Sequence, residues 1–204
     1  MPNEMDPSPA ERYQLEKIRR IHIIGASGSG KTTLARALAT KLDLFTYHLD
    51  EIRSKRIDEA GDLFTLLSAD VHSIATSNAW ITEGVYLGWT DELLQLADLI
   101  IWIDIPWYIV TWQQLVRFVW LCLTQPSSRR VIQKVALLIH FLFRYLMGGM
   151  KYYLDRTILF KDGAIQDTNA KNQASTIQCL APYADKLVHF RRTSEVANFI
   201  ASLK

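Results

Sequence analysis

Ile21-His22-Ile23-Ile24-Gly25-Ala26-Ser27-Gly28-Ser29-Gly30-Lys31-Thr32-Thr33 decides the fold of this chain. Its first four residues are a short β-branched, apolar run of the kind buried in a parallel sheet. Gly25 to Thr32 then satisfy the spacing G-x-x-x-x-G-K-[ST], and Leu34-Ala35-Arg36-Ala37-Leu38-Ala39 continues with helical spacing and strong helix formers. Strand, glycine-rich loop and helix in that order are the context in which this spacing cradles phosphates. Gly25, Gly28 and Gly30 let the backbone turn and approach a ligand where a Cβ would obstruct it, so that successive N–H groups of Ala26, Ser27 and Ser29 can face an anion. Lys31 is a point charge for the β- and γ-phosphates. The Thr32 hydroxyl is the expected Mg²⁺ ligand, and Thr33 opens the helix whose positive dipole end faces the same anion. The predicted ligand is therefore a nucleoside triphosphate with Mg²⁺.

Working outward, apolar runs alternate with helical patterns. Leu44 to Asp50 reads as a second strand ending in a carboxylate, Asn78 to Gly84 as a third and Asp98 to Asp104 as a fourth stopped by Pro106, with a fifth at Lys186 to Phe190. Helices are predicted over 62–76, 107–123, 131–147, 172–183 and 194–203. Strands apolar on both faces and alternating with helices predict an α/β domain with a parallel sheet covered on each side. Ligands in such sheets gather at the carboxyl ends of the strands, where Gly25, Asp50, Glu83 and Asp104 fall.

A chain of 204 residues, 49% hydrophobic and 22% charged, suits one such domain with an insertion. We expect residues 1–17 to be a mobile tail and 18–204 a single domain, with an insertion over about 117–168. The net charge of +2 does not mark the whole chain as a nucleic-acid binder, but its distribution is uneven. Arg117 to Lys161 holds eight basic residues against one acid, a net of +7 that leaves −5 for the rest. Cys122 and Cys179 lie in apolar helical patterns without metal spacing and read as buried thiols in a reducing compartment, so a cytoplasmic location is expected. The most apolar stretch, Val131 to Met147, is interrupted by Lys134, His140 and Arg144 and falls short of the roughly 20 apolar residues that span a bilayer.

Several side chains carry the expected chemistry. Asp50, at the end of a strand, would face the γ-phosphate and orient or deprotonate an acceptor hydroxyl. Glu83 is the second magnesium anchor beside Thr32, holding the ion through water, with Asp104 as its alternative and a structural turn as the favoured role for Asp104. Arg117, a planar permanent charge, would reach over the transferred phosphoryl group, and Arg129 and Arg130 follow it as further covering arginines. His22, His48, His72, His140 and His189 show no metal spacing and read as structural, and the tryptophans read largely as core packing. The guanine-selecting Asn-Lys-x-Asp pattern is absent from the sequence, which favours ATP over GTP.

Taken together, these residues resemble the adenylate-kinase-like P-loop kinases, and within them the bacterial DNA topology modulation proteins and related predicted kinases. The resemblance is carried by Ile23 to Thr33, by Tyr47-His48-Leu49-Asp50, by Trp80-Ile81-x-Glu83-Gly84, and by Ala97 to Pro106 with Trp112 and Arg117 after it. It implies a five-stranded parallel sheet ordered 2-3-1-4-5, a magnesium role for Glu83, phosphate contact by Arg117, an acceptor at Asp50, and a base bordered by Arg191 to Ser194, with Arg192 in that loop. Glu83-Gly84-Val85-Tyr86 departs from the Asp-Gly-Asn-Tyr common among close relatives, and the segment after Arg117 is unusually long and apolar.

The expected function is thus a Mg²⁺-dependent transfer of the ATP γ-phosphoryl group to a small hydroxyl or phosphate acceptor. A different class stays open beside it: a nucleotide-dependent binding protein whose basic, amphipathic 117–161 segment engages a protein, an anionic membrane or nucleic acid. The stripe Val131, Val135, Leu138, Leu142 and Leu146 motivates that alternative, with packing within the insertion or a homodimer through the 131–147 helix as the simpler explanations.

Overall fold

A computed structural model describes residues 15–124, 143, 151–154 and 172–203. Within them, five parallel strands form one sheet in the order β2-β3-β1-β4-β5: β1 is Arg20–Gly25, β2 Thr46–His48, β3 Trp80–Gly84, β4 Leu99–Ile103 and β5 Leu187–Phe190. The connecting helices are α1 (Lys31–Leu42), α2 (Leu49–Arg56), α3 (Leu63–Ala75), α4 (Asp91–Leu96), α5 (Trp107–Thr124), α6 (Gln173–Leu180) and α7 (Thr193–Ser202). Order and parallel sense are those expected from the sequence.

The two-residue period of the strands sorts side chains into two cores. Ile21 and Ile23 of β1, Ile81 of β3 and Leu99, Ile101 and Ile103 of β4 face α1 and α7, meeting Leu34, Leu38, Val196 and Phe199. The intervening Ile24, Trp80, Ile100 and Trp102 face α3, α4 and α6, meeting Leu67, Val71, Leu93 and Leu180. Burial on both faces is why β1 and β4 read as unbroken apolar runs rather than alternating ones. Leu15, in a short 3-10 turn at Leu15–Lys17, is 4% exposed in the first core, so the packing of the domain reaches back into the segment expected to be a tail.

Several local expectations are corrected. The second strand is only three residues long, and Asp50 lies not at its end but in the first turn of α2, because fully buried Leu49 turns into the core beneath Gly84. The polar stretch after it holds a helix, α2, whose Arg56 reaches Asp70 on α3 with Nε and Nη2 (2.8 and 2.7 Å). Short α4 was not foreseen in the sequence. The helix expected over 172–183 is instead α6 followed by a 3-10 turn, Ala181–Lys186, since Pro182 cannot supply the next backbone donor. Asp62 and Asn172 begin α3 and α6 by accepting from Thr65 N (2.9 Å) and Ser175 N (2.8 Å). The expected 131–147 helix with its stripe, Arg129 and Arg130 lie outside the described residues, save Phe143, which is helical. Among the described residues no helix is long and apolar enough to cross a membrane.

Candidate functional site

The turn from β1 into α1 is built by glycines that have no substitute. Gly28 and Gly30 have φ of 82° and 100°, and a Cβ on Gly25 would lie 2.5 Å from the Ile103 carbonyl oxygen and 2.9 Å from Ser29 Oγ. Gly30 offers α1 no capping side chain, so the helix opens onto the loop with its dipole uncovered. Lys31 is 6% exposed and its Nζ donates to the Ala26 carbonyl (3.0 Å), which places the ammonium inside the curve of the loop. Ser29 Oγ is buried there without a hydrogen-bond partner, Ser27 and Thr33 are exposed, and Ala26 packs on Val85 and Tyr152. Val85, one of the departures from the related pattern, thus supports the loop by packing.

Beside the loop, Thr32 and Glu83 come together. The Thr32 hydroxyl donates to Glu83 Oε1 (2.9 Å), although 51 residues separate them in the chain. The same oxygen accepts from His48 Nδ1 (2.8 Å), which must carry the proton because a carboxylate only accepts. Glu83 is 7% exposed. A hydroxyl and a carboxylate are hard oxygen donors of the kind magnesium takes, and magnesium in such sites takes one or two protein groups and completes its shell with phosphate and water. Among the described residues no cluster of three or more His, Cys, Asp or Glu could hold a metal by itself, so a cation here would be of that shared kind.

A second carboxylate stands just past the same strand ends. Tyr86 donates from its hydroxyl to Asp50 Oδ1 (2.6 Å), and the Arg53 guanidinium lies 5.9 Å from the centroid of the Tyr86 ring. Burial, and then the hydrogen bond to Asp50, push the Tyr86 phenol far above its ordinary range, so it stays a donor and holds Asp50 in place. Asp104 belongs to neither carboxylate: Gln173 Nε2 donates to both its oxygens (2.8 and 3.0 Å), His189 Nε2 lies 3.3 Å away, and the His189 ring stacks on Trp102 with centroids 4.0 Å apart. It is a tie between β4, β5 and α6.

Arg192 begins α7 in the loop after β5, where Glu195 Oε2 accepts from the backbone N–H groups of Arg191 (2.8 Å) and Arg192 (3.1 Å), and Gln113 of α5 reaches Thr193. Arg117 lies in α5, but its side chain is outside the described residues. The structure therefore joins Lys31, Thr32 and Glu83 around the loop and sets Asp50 nearby. His48 and Tyr86 were missed by sequence reasoning. Tyr47-His48-Leu49-Asp50 held the only local signal, a histidine two residues before the carboxylate expected to orient an acceptor.

A parallel sheet ordered β2-β3-β1-β4-β5 with a phosphate loop joining its central strand to a helix is the fold of the P-loop kinases. No family model matches the chain. A stretch of 94 residues is 37% identical to the uncharacterized protein YqaC of Bacillus subtilis (strain 168), covering 43% of this chain and 50% of YqaC. The chain thus spans about half the length of the curated relative it matches. Among solved structures, a shikimate kinase from Bacteroides thetaiotaomicron aligns at 15% identity and a TM-score of 0.44 over 91% of this chain and 96% of its own. A gluconokinase from Sinorhizobium meliloti 1021 aligns at 14% and 0.42 over 91% of each. At these values the likeness is a distant one of chain path, and the fold assignment rests on the strand order and the loop.

Proposed function

We propose that this chain binds ATP with Mg²⁺ and transfers the γ-phosphoryl group to a small-molecule hydroxyl or phosphate acceptor. One observation carries the reading: two carboxylates stand at the carboxyl ends of adjacent strands, Glu83 next to last in β3 tied to the phosphate-loop threonine and Asp50 two residues past β2 hydrogen-bonded by Tyr86. They divide the work. Glu83 with Thr32 would hold Mg²⁺, which when bound neutralises charge on the β- and γ-phosphates. Asp50 would orient the acceptor through the carboxylate oxygen that Tyr86 leaves open. The acceptor oxygen bonds to the γ-phosphorus as the bond to the β-phosphate bridging oxygen breaks, ADP departs, and for a hydroxyl acceptor the proton passes to Asp50. Lys31 stabilises the departing charge from inside the loop, Arg117 is the candidate to cover the transferred group, and Arg192 borders the base. The finer likeness to the DNA topology modulation proteins rests on the sequence motifs alone.

Incubating the protein with ATP, Mg²⁺ and pooled nucleosides, nucleotides, sugars and alcohols tests this. Acceptor-stimulated ADP release that falls by roughly 10²- to 10⁴-fold in Asp50→Asn is the expected result. ATP binding with no turnover dependent on any acceptor would overturn the transfer and favour a nucleotide-dependent binding protein. The observation that speaks for that second reading is the run of exposed apolar side chains on α5, Tyr108, Trp112 and Val116, of which Trp112 is 65% exposed where core packing was expected.

A further inference from the structure

We infer that His48 is a positioning residue for the metal carboxylate: its Nδ1–H fixes Glu83 in the rotamer that accepts the Thr32 hydroxyl, and so turns the Thr32 oxygen toward the cation accompanying the nucleotide. This rests on the proposed nucleotide–metal reading of the loop. Strands β2 and β3 pair in parallel with His48 opposite Glu83, so the two side chains stand side by side on the face that also receives α1. Both donors converge on Oε1, at 2.9 Å from Thr32 and 2.8 Å from His48, and Oε2 carries neither bond. A hydroxyl whose hydrogen is committed to a carboxylate keeps its lone pairs for a metal, as partners beyond the ligands orient the ligands themselves.

The backbone around His48 is held on both sides. Before it, Thr46 and Tyr47 pair with Ile81 and Thr82; after it, Leu49 is fully buried, and Gly84 leaves the space that Leu49 fills. The imidazole is therefore presented to Glu83 by the fold. It also forms one wall of an open cavity of about 340 Å³ lined by Thr32, Arg36, Thr40 and Thr46, so its outer edge is in reach of solvent. His48 is not itself a metal ligand in this arrangement, because Nδ1 is committed to the carboxylate and magnesium prefers oxygen.

The geometry singles out one nitrogen, which makes the test specific. An Asn amide nitrogen lies as many bonds from the backbone as Nδ1, whereas a Gln amide nitrogen stands in for Nε2. Mn²⁺ binding to the full chain is measured by electron paramagnetic resonance with a non-hydrolysable ATP analogue present, and analogue binding is measured separately in excess chelator. His48→Ala and His48→Gln should weaken Mn²⁺ binding by about tenfold, His48→Asn should restore most of it, and metal-free analogue binding should not change. Wild-type Mn²⁺ affinity in His48→Ala, or equal losses in all three variants, would overturn the role of His48 while leaving the nucleotide–metal reading intact. Absence of Mn²⁺-dependent analogue binding in the wild type would overturn that reading itself, and this inference with it.

Discussion

Gly84 joins the two carboxylates of the site at the scale of single atoms. A Cβ there would lie 2.8 Å from Leu49 Cδ1 and 3.0 Å from Leu49 Cβ. The second contact is the decisive one, because a Cβ cannot rotate out of the way as a side-chain tip can. Gly84→Ala must therefore push the start of α2, and with it Asp50, away from the end of β3. We expect a loss of about 1–3 kcal/mol in urea-unfolding stability and a fall in acceptor-dependent turnover beyond any change in ATP affinity. An unchanged midpoint would show that Leu49 relocates freely. At Gly84 the group that comes close to the backbone is the neighbouring Leu49 side chain. The phosphate loop was legible because all its parts are contiguous. The His48–Glu83 and Tyr86–Asp50 contacts were not, since they span 35 and 36 residues and exist only in one register of β2 on β3.

Among the elements, the long buried ones were readable and the short ones were not. Strands β1 and β4 and helix α1 follow the pattern of their residues, because burial on both faces of a central strand demands a continuous apolar run. Edge strand β2 ends two residues earlier than its alternation suggests, and six-residue α4 is too short to establish a helical period. Caps decide where the helices begin. Asn172 is fully buried at the start of α6, and its side chain accepts from Ser175 N while its own carbonyl accepts from the Thr176 hydroxyl (2.7 Å). Asn172→Ala removes the side-chain oxygen to which the Ser175 N–H donates, so unfolding stability should fall by about 1–2 kcal/mol, whereas Asn172→Asp keeps that acceptor and should retain most of it. Equal denaturant midpoints for the alanine and wild-type proteins would place the start of α6 under the control of packing alone.

For the molecule as a whole, one buried base couples stability to pH. His22 lies in the centre of β1 with no exposure; its Nδ1 is 2.7 Å from Thr82 Oγ1 and its Nε2 has no partner. Desolvation lowers its pKa to about 3. Above about pH 6.5 the ring is neutral whether the chain is folded or not, and stability does not depend on it. Below that value the unfolded chain takes up a proton that the folded chain refuses, so stability falls with pH, by up to roughly 1.4 kcal/mol per unit, until the folded pKa near 3. Urea midpoints at pH 7 and pH 5 should show this loss, and His22→Leu should flatten it. An undiminished slope in that variant would assign the effect to other groups. By itself, the sequence determined that the chain is a parallel α/β domain with a phosphate loop at the end of its first strand, because those features follow from contiguous glycine chemistry and strand burial. Tertiary structure chose Glu83 over Asp104 as the carboxylate that meets Thr32, and it alone decided which residue holds Asp50 and that a histidine stands behind Glu83. Those are properties of strand order and register, set by packing summed over the whole sheet, and no local stretch of residues encodes them.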